Sequence, residues 1–228
     1  MSTPPVTIAV NNLNDGCYLP DVLDSCRAQT KKAFEIIGID AGSTDNSLHV
    51  YASYHVPVVH CGGMNQPRSV NRVIRQSKAD FFAWINADDR YDPCFVEAHL
   101  AALAEHPEAD ITYSWWYTFY SDRPARPVHK TPPLNEWMPK GLNYICQCAV
   151  MIRQSLFDRI GLFDESINYP FDMEFWVRAW KEGVEFHEIP RATAGHRTRR
   201  DNLTHTKGPE IRVEMERIRK MHFPEQGQ

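Results

Sequence analysis

Hydrophobic residues come in short runs that alternate with stretches of helical spacing. Runs rich in β-branched and aromatic residues at 6–10, 35–40, 56–61, 81–85, 111–120, 148–152 and 184–189 predict strands. Between them, residues 19–28, 44–54, 67–77 and 93–105 carry apolar positions at helical intervals, as in Val96, Leu100 and Leu103. Strand and helix in alternation predict an α/β domain, a mostly parallel sheet flanked by helices. Such sheets collect ligands outside the carboxyl ends of their strands. That rule puts Asn11, Asn12, Asn14, Asp40 and the tetrad Asn86-Ala87-Asp88-Asp89 on one rim.

The tetrad holds the most chemistry. It follows the apolar run Phe81-Phe82-Ala83-Trp84-Ile85, so a buried strand delivers adjacent carboxylates to an edge. Two neighbouring acids repel unless a cation stands beside them, and Mg²⁺ or Mn²⁺ takes oxygen ligands while sharing them with substrate phosphates. The competing reading is a helix cap, since Asp caps well and Pro93 suits a helix start. In Asp40-Ala41-Gly42-Ser43-Thr44-Asp45, Gly42 permits a tight turn, Ser43 or Thr44 can cap the next helix, and Asp45 suits its dipole. Asp40 has no such role and is placed to accept from a ring N–H or a ribose hydroxyl. Asp172, ahead of Phe175 and Trp176, reads either as a helix cap or as a general base in an aromatic pocket.

Residues 121–143 contain Pro124, Pro127, Pro132, Pro133 and Pro139 and predict a long loop, where acceptor contacts through Trp137 and Met138 are expected. Trp115-Trp116-Tyr117 reads as core sooner than as a sugar platform. Residues 210–222 form an amphipathic helix expected to pack on the domain, with peripheral membrane contact as the alternative.

Composition narrows the field. The 228 residues, 43% hydrophobic, suit one domain with a sizeable core. A net charge of -4 argues against a nucleic-acid partner. No apolar run reaches the roughly 20 residues that span a bilayer, and residues 1–5 lack a basic, then apolar, leader. The six cysteines show no paired C-x-x-C set and are expected reduced, with Cys146 and Cys148 on one strand face. A cytoplasmic protein is the expectation, with the inner face of a membrane as the alternative. Neither G-x-G-x-x-G nor G-x-x-x-x-G-K-[ST] occurs, which disfavours a dinucleotide oxidoreductase and a P-loop nucleotidase. A nucleotide bound without a glycine cradle has a greater need of a metal on its phosphates.

Several ordered motifs together resemble a family 2 glycosyltransferase of the GT-A type. Tyr18-Leu19 through Ser25 and Gln29-Thr30 match its opening helix, and residues 34–46 its F-E-I-I-x-x-D-x-G-S-T-D segment. Asn71 resembles the Asn of its A-x-N-K-G helix, residues 83–89 its D-x-D element, and residues 157–178 its later G-x-F-D-E and D-x-E-x-W-x-R region. The resemblance implies a nucleotide-sugar donor, UDP-linked by default, and inverting transfer to a glycan or lipid-linked glycan, as in polysaccharide biosynthesis. It implies a donor half at 1–110, an acceptor and catalytic half at 111–208, and a C-terminal helix and tail at 209–228. Asn11, Asn12, Asn14, Asp40, Asn71, Asn86 and Asp88 would bind the nucleotide sugar. Asp88, with Asp89 and His196, would hold Mn²⁺ or Mg²⁺, and Asp172 would be the general base. With Arg197, Arg199 and Arg200 nearby, an anion site beside His196 is the expectation, and a surface histidine the alternative. The chain departs from the family where Asn11 and Leu13 replace a Pro and an aromatic, where Ala41 replaces an acid, and where Asn86 replaces the first acid of D-x-D. Thymine or guanine therefore stay open as donor bases. The alternatives are a sugar nucleotidyltransferase, which would want a glycine-rich basic loop near residues 11–18, and a non-catalytic relative.

Overall fold

The computed structural model describes residues 5–121 and 127–224. The chain opens with β1 (Val6–Asn12), α1 (Leu19–Arg27), β2 (Glu35–Asp40), α2 (Ser47–Ser53), β3 (Val58–His60), α3 (Gln66–Gln76) and β4 (Phe81–Asn86). Then come β5 (Arg90–Tyr91), α4 (Phe95–Glu105), β6 (Ile111–Phe119), β7 (Val128–His129) and α5 (Leu134–Trp137). The chain finishes with β8 (Val150–Arg153), α6 (Gln154–Ile160), α7 (Phe171–Lys181), β9 (Phe186–Arg197), α8 (Leu203–Thr206) and α9 (Gly208–His222).

Among the described residues all nine strands join one sheet, ordered β3-β2-β1-β4-β8-β6-β9-β5, with β7 on β6. The first four strands are parallel, because the helix between each and the next returns the chain to the starting edge. The sheet continues through antiparallel β8 and β6 and a parallel β6–β9 pair. Strand β4 shows why the sheet is covered on both faces. Phe82 and Trp84 enter one core, and Phe81, Ala83 and Ile85 enter the other, as a period of two requires. On the first face Trp84 meets Phe163 at 4.9 Å, Trp176 at 6.1 Å and Phe171 at 6.2 Å between ring centroids. This aromatic packing fixes the start of α7 against β4.

Four expectations change. Strand β9 does not end at Ile189; it continues past Pro190 to Arg197, and register shifts between Ser114 and Trp116 on β6 absorb the interruption. Cys146 and Cys148 are not alternate strand residues, because 147–149 coil into a 3₁₀ turn before β8. Helix α2 begins at Ser47 with no side-chain cap, so Ser43 and Thr44 do not cap it. Trp137 and Met138 are buried, and the Trp137 indole N–H donates to the Pro132 carbonyl, so neither offers an acceptor surface. The remainder of the expected acceptor loop includes 122–126, which lies outside the described residues, as do residues 1–4 of the N-terminal stretch. No helix among the described residues is long and apolar enough to cross a membrane.

Candidate active site

Parallel register assembles the rim. Asn12 stands opposite Asp40, and Asn11 opposite both Ile39 and Asn86, so the ends of β2, β1 and β4 lie side by side. The Asn12 amide donates to Asp40 at 3.4 Å and to Ser43 Oγ at 3.0 Å. Asp40 is buried, and its Oδ2 accepts from the Gly42 and Ser43 N–H groups at 3.1 Å each. The turn at residues 40–43 thus gives Asp40 the local structural role that the sequence withheld. Asn14 adopts φ 58°, which Asn tolerates better than most residues. Its Oδ1 accepts from the Thr44 N–H at 2.8 Å, joining the loops after β1 and β2. Asn11 keeps a buried Oδ1 with no partner among the described residues. Asn86 Oδ1 accepts from Gln66 at 2.7 Å.

Asp88 and Asp89 cap no helix, since the residue preceding α4 is Cys94. The two acids diverge. Asp88 Oδ2 accepts from Arg199 Nε at 3.1 Å and Asn202 Nδ2 at 3.2 Å. Burial, and then the charge of Asp89, push its carboxyl up to about 7 despite Arg199. Asp89 accepts from the Arg197 backbone N–H at 2.9 Å and pairs with His196 Nδ1 at 3.0 Å. Burial alone would lower the His196 ring; the Asp89 carboxylate overrides it and raises the ring to about 10. An imidazolium cannot ligate a cation, so in this state His196 serves as the counter-ion of Asp89.

The strap after β9 closes the acid cluster. Arg199 grips Asp15 with two bonds, at 2.7 and 2.9 Å, over the Tyr18 ring. Buried Arg197 donates to the Asp88 carbonyl and to Ser121, and pairs with Asp21. The sequence marked these arginines as an anion site; here they are bound to protein acids. Asp15, Gln66 and Asn202 were not foreseen, because their partners lie far away in the chain.

Asn71 is not brought to the rim. It is fully buried in α3, donating to the Phe163 carbonyl at 2.9 Å while its Oδ1 accepts the Phe163 N–H at 3.1 Å. Arg68, on the same helix, pairs with Glu165 at 3.0 Å. Asp172 lies in the first turn of α7, after Pro170 as the cap residue. Burial raises its carboxyl to about 6, opposed by the bond from the Asn143 amide at 3.2 Å. Its neighbour Phe171 packs on Trp84, two residues before Asn86.

Among the described residues no group of three or more His, Cys, Asp or Glu side chains could by itself hold a metal ion. What the rim offers is smaller: Asp88 with one oxygen engaged, and Asp89 with a buried, unpartnered Oδ2. Two hard oxygens suit a divalent ion whose other ligands come from a diphosphate.

The family model "Glycosyl transferase family 2" matches residues 7–161. The chain belongs to this glycosyltransferase family. An uncharacterized glycosyltransferase of Rickettsia typhi is 28% identical over 189 residues, covering 77% of this chain and 58% of that protein. A PGL/p-HBAD biosynthesis glycosyltransferase of Mycobacterium bovis is 25% identical over 198 residues, covering 79% of this chain and 71% of that one. Solved structures share the fold. S. aureus TarS 1-349 in complex with UDP-GlcNAc superposes with a TM-score of 0.75 at 19% identity, over 94% of this chain and 65% of that one. A Pyrobaculum calidifontis mannosyltransferase in complex with GDP-Man and Mn²⁺ gives 0.64 at 13% identity, over 93% and 65%. The chain thus spans about three-fifths of the first curated relative and carries the GT-A fold of family 2.

Proposed function

We propose that this family 2 domain transfers a sugar from a nucleoside-diphosphate donor to a hydroxyl of a glycan or lipid-linked glycan, with inversion at the anomeric carbon. The observation that carries the reading is the register that sets Asn11, Asn12, Asp40 and Asn86 side by side, with Asp88 two residues on. UDP is the default nucleotide, in keeping with the UDP-GlcNAc complex of TarS. Asn11 and Asn12 would meet the base and ribose, and the Asn86 amide would donate to a sugar or ribose oxygen.

Asp88, supported by Asp89, would hold Mn²⁺ or Mg²⁺. When bound, such an ion neutralises charge on a departing diphosphate. His196 would take part by fixing Asp89, and a direct metal bond would require it to give up that proton. Asp172 would accept the proton of the acceptor hydroxyl. Its carboxyl is raised to about 6 by burial, so it is basic enough to take a proton yet unprotonated at neutral pH. A positioned base of this kind contributes about 10²–10⁴-fold.

A thermal-shift panel of nucleoside diphosphates with and without Mn²⁺ tests the donor site, since a ligand of the folded state raises its melting temperature. UDP with Mn²⁺ is expected to give the largest shift. No shift with any nucleoside diphosphate would remove the donor assignment.

A further inference from the structure

Cys146 and Cys148 hold their sulfurs 3.4 Å apart. On one strand face, residues two apart sit about 6–7 Å from each other, so it is the 3₁₀ turn at 147–149 that draws the thiols together. The two differ in access: Cys146 is half-buried and Cys148 is buried. The turn has neighbours of consequence. It packs against β9, the strand that carries His196, and against β4, which leads to Asp89.

We propose that Cys146 and Cys148 form a reversible oxidation site, a thiol pair that a hydroperoxide closes into a disulfide behind the acid rim. Cys146, the accessible partner, attacks one peroxide oxygen as its thiolate. The O–O bond breaks, and the departing hydroxide takes up a proton to become water. The resulting sulfenic acid is attacked by the Cys148 sulfur; the S–O bond breaks, and the hydroxyl leaves as water with the Cys148 proton. Overall the dithiol loses two electrons and one hydrogen peroxide becomes two waters. Closure draws the sulfurs from 3.4 Å to about 2.05 Å. The turn must follow, and with it the surroundings of the His196–Asp89 pair.

The experiment uses the whole chain with Cys17→Ser, which removes the exposed thiol. The protein is treated with equimolar hydrogen peroxide and read by intact mass, peptide mapping and imidazole ¹⁵N NMR. The expected result is a loss of two hydrogens, a linked Cys146–Cys148 peptide, and movement of the His196 resonances, all reversed by dithiothreitol. In Cys148→Ser the sulfenic acid should persist on Cys146 and be trapped by dimedone. Linkage through other cysteines, or a Cys146 that stays unmodified in both proteins, overturns the site. A disulfide that forms while the His196 signals stay still overturns its connection to the rim.

Discussion

Replacing Asn71 with alanine removes a side chain that satisfies both backbone groups of Phe163 in a fully buried position. Each orphaned buried group costs about 1–3 kcal/mol. The third contact, to Glu165 at 3.1 Å, reaches a partly exposed carboxylate and adds little. The total comes to about 3 kcal/mol, and at about 2–4 °C per kcal/mol for a domain of this size the melting temperature should drop by about 6–12 °C. Circular dichroism measures that drop, and UDP titration at 15–20 °C below the midpoint, roughly, measures donor affinity in the folded variant. The expected outcome is a large loss of stability with affinity within about twofold of the parent, less than 0.5 kcal/mol. A variant that melts within about a degree of the parent but binds UDP about tenfold more weakly would refute the clamp. It would return Asn71 to the donor site that the family resemblance implies.

Three further outcomes concern Asp172, His196 and Asp88. Asp172→Asn should abolish transfer while leaving the UDP thermal shift in place, and in the parent protein single-turnover rates should rise with pH through about 6, because the base must be unprotonated; a flat profile from pH 5 to 8 would contradict this. His196 is raised to about 10 when folded, against about 6.5 unfolded, so its stabilisation is complete below about 6.5 and fades as pH climbs towards about 10. Melting temperatures should fall across that window, and the fall should be smaller in His196→Asn; equal slopes would disprove the ion pair with Asp89. Asp88→Asn should erase the increment that Mn²⁺ adds to the UDP thermal shift, and an unchanged increment would move the metal elsewhere.

Strands β1, β2 and β4 were legible because their apolar runs are long and end in polar residues, and the rim of Asn11, Asn12, Asp40 and Asn86 came with them. Strand β9 was cut short at Pro190, since only its partner strand reveals the irregular register that accommodates proline. Trp137 and Met138 sit amid prolines and polar residues, and nothing local announces that they join the core cluster that also holds residues of α7, α9 and the sheet. Asn71 carries a polar side chain on an amphipathic helix, so its use as a backbone clamp depends on Phe163, 92 positions away. Arg199 and Asp15 meet across 184 positions, a distance at which no periodicity speaks. Residue type announced the acids; their pairing, Asp88 with Arg199 and Asp89 with His196, belongs to the folded chain alone.

Arg199 makes the seat beside Asp88 an occupied one. An ion bound through the other Asp88 oxygen would share the carboxylate with a guanidinium, so its measured affinity would depend on how far that incumbent can withdraw. Weakening the incumbent's hold on Asp15 would retune metal uptake without altering any group that meets the metal.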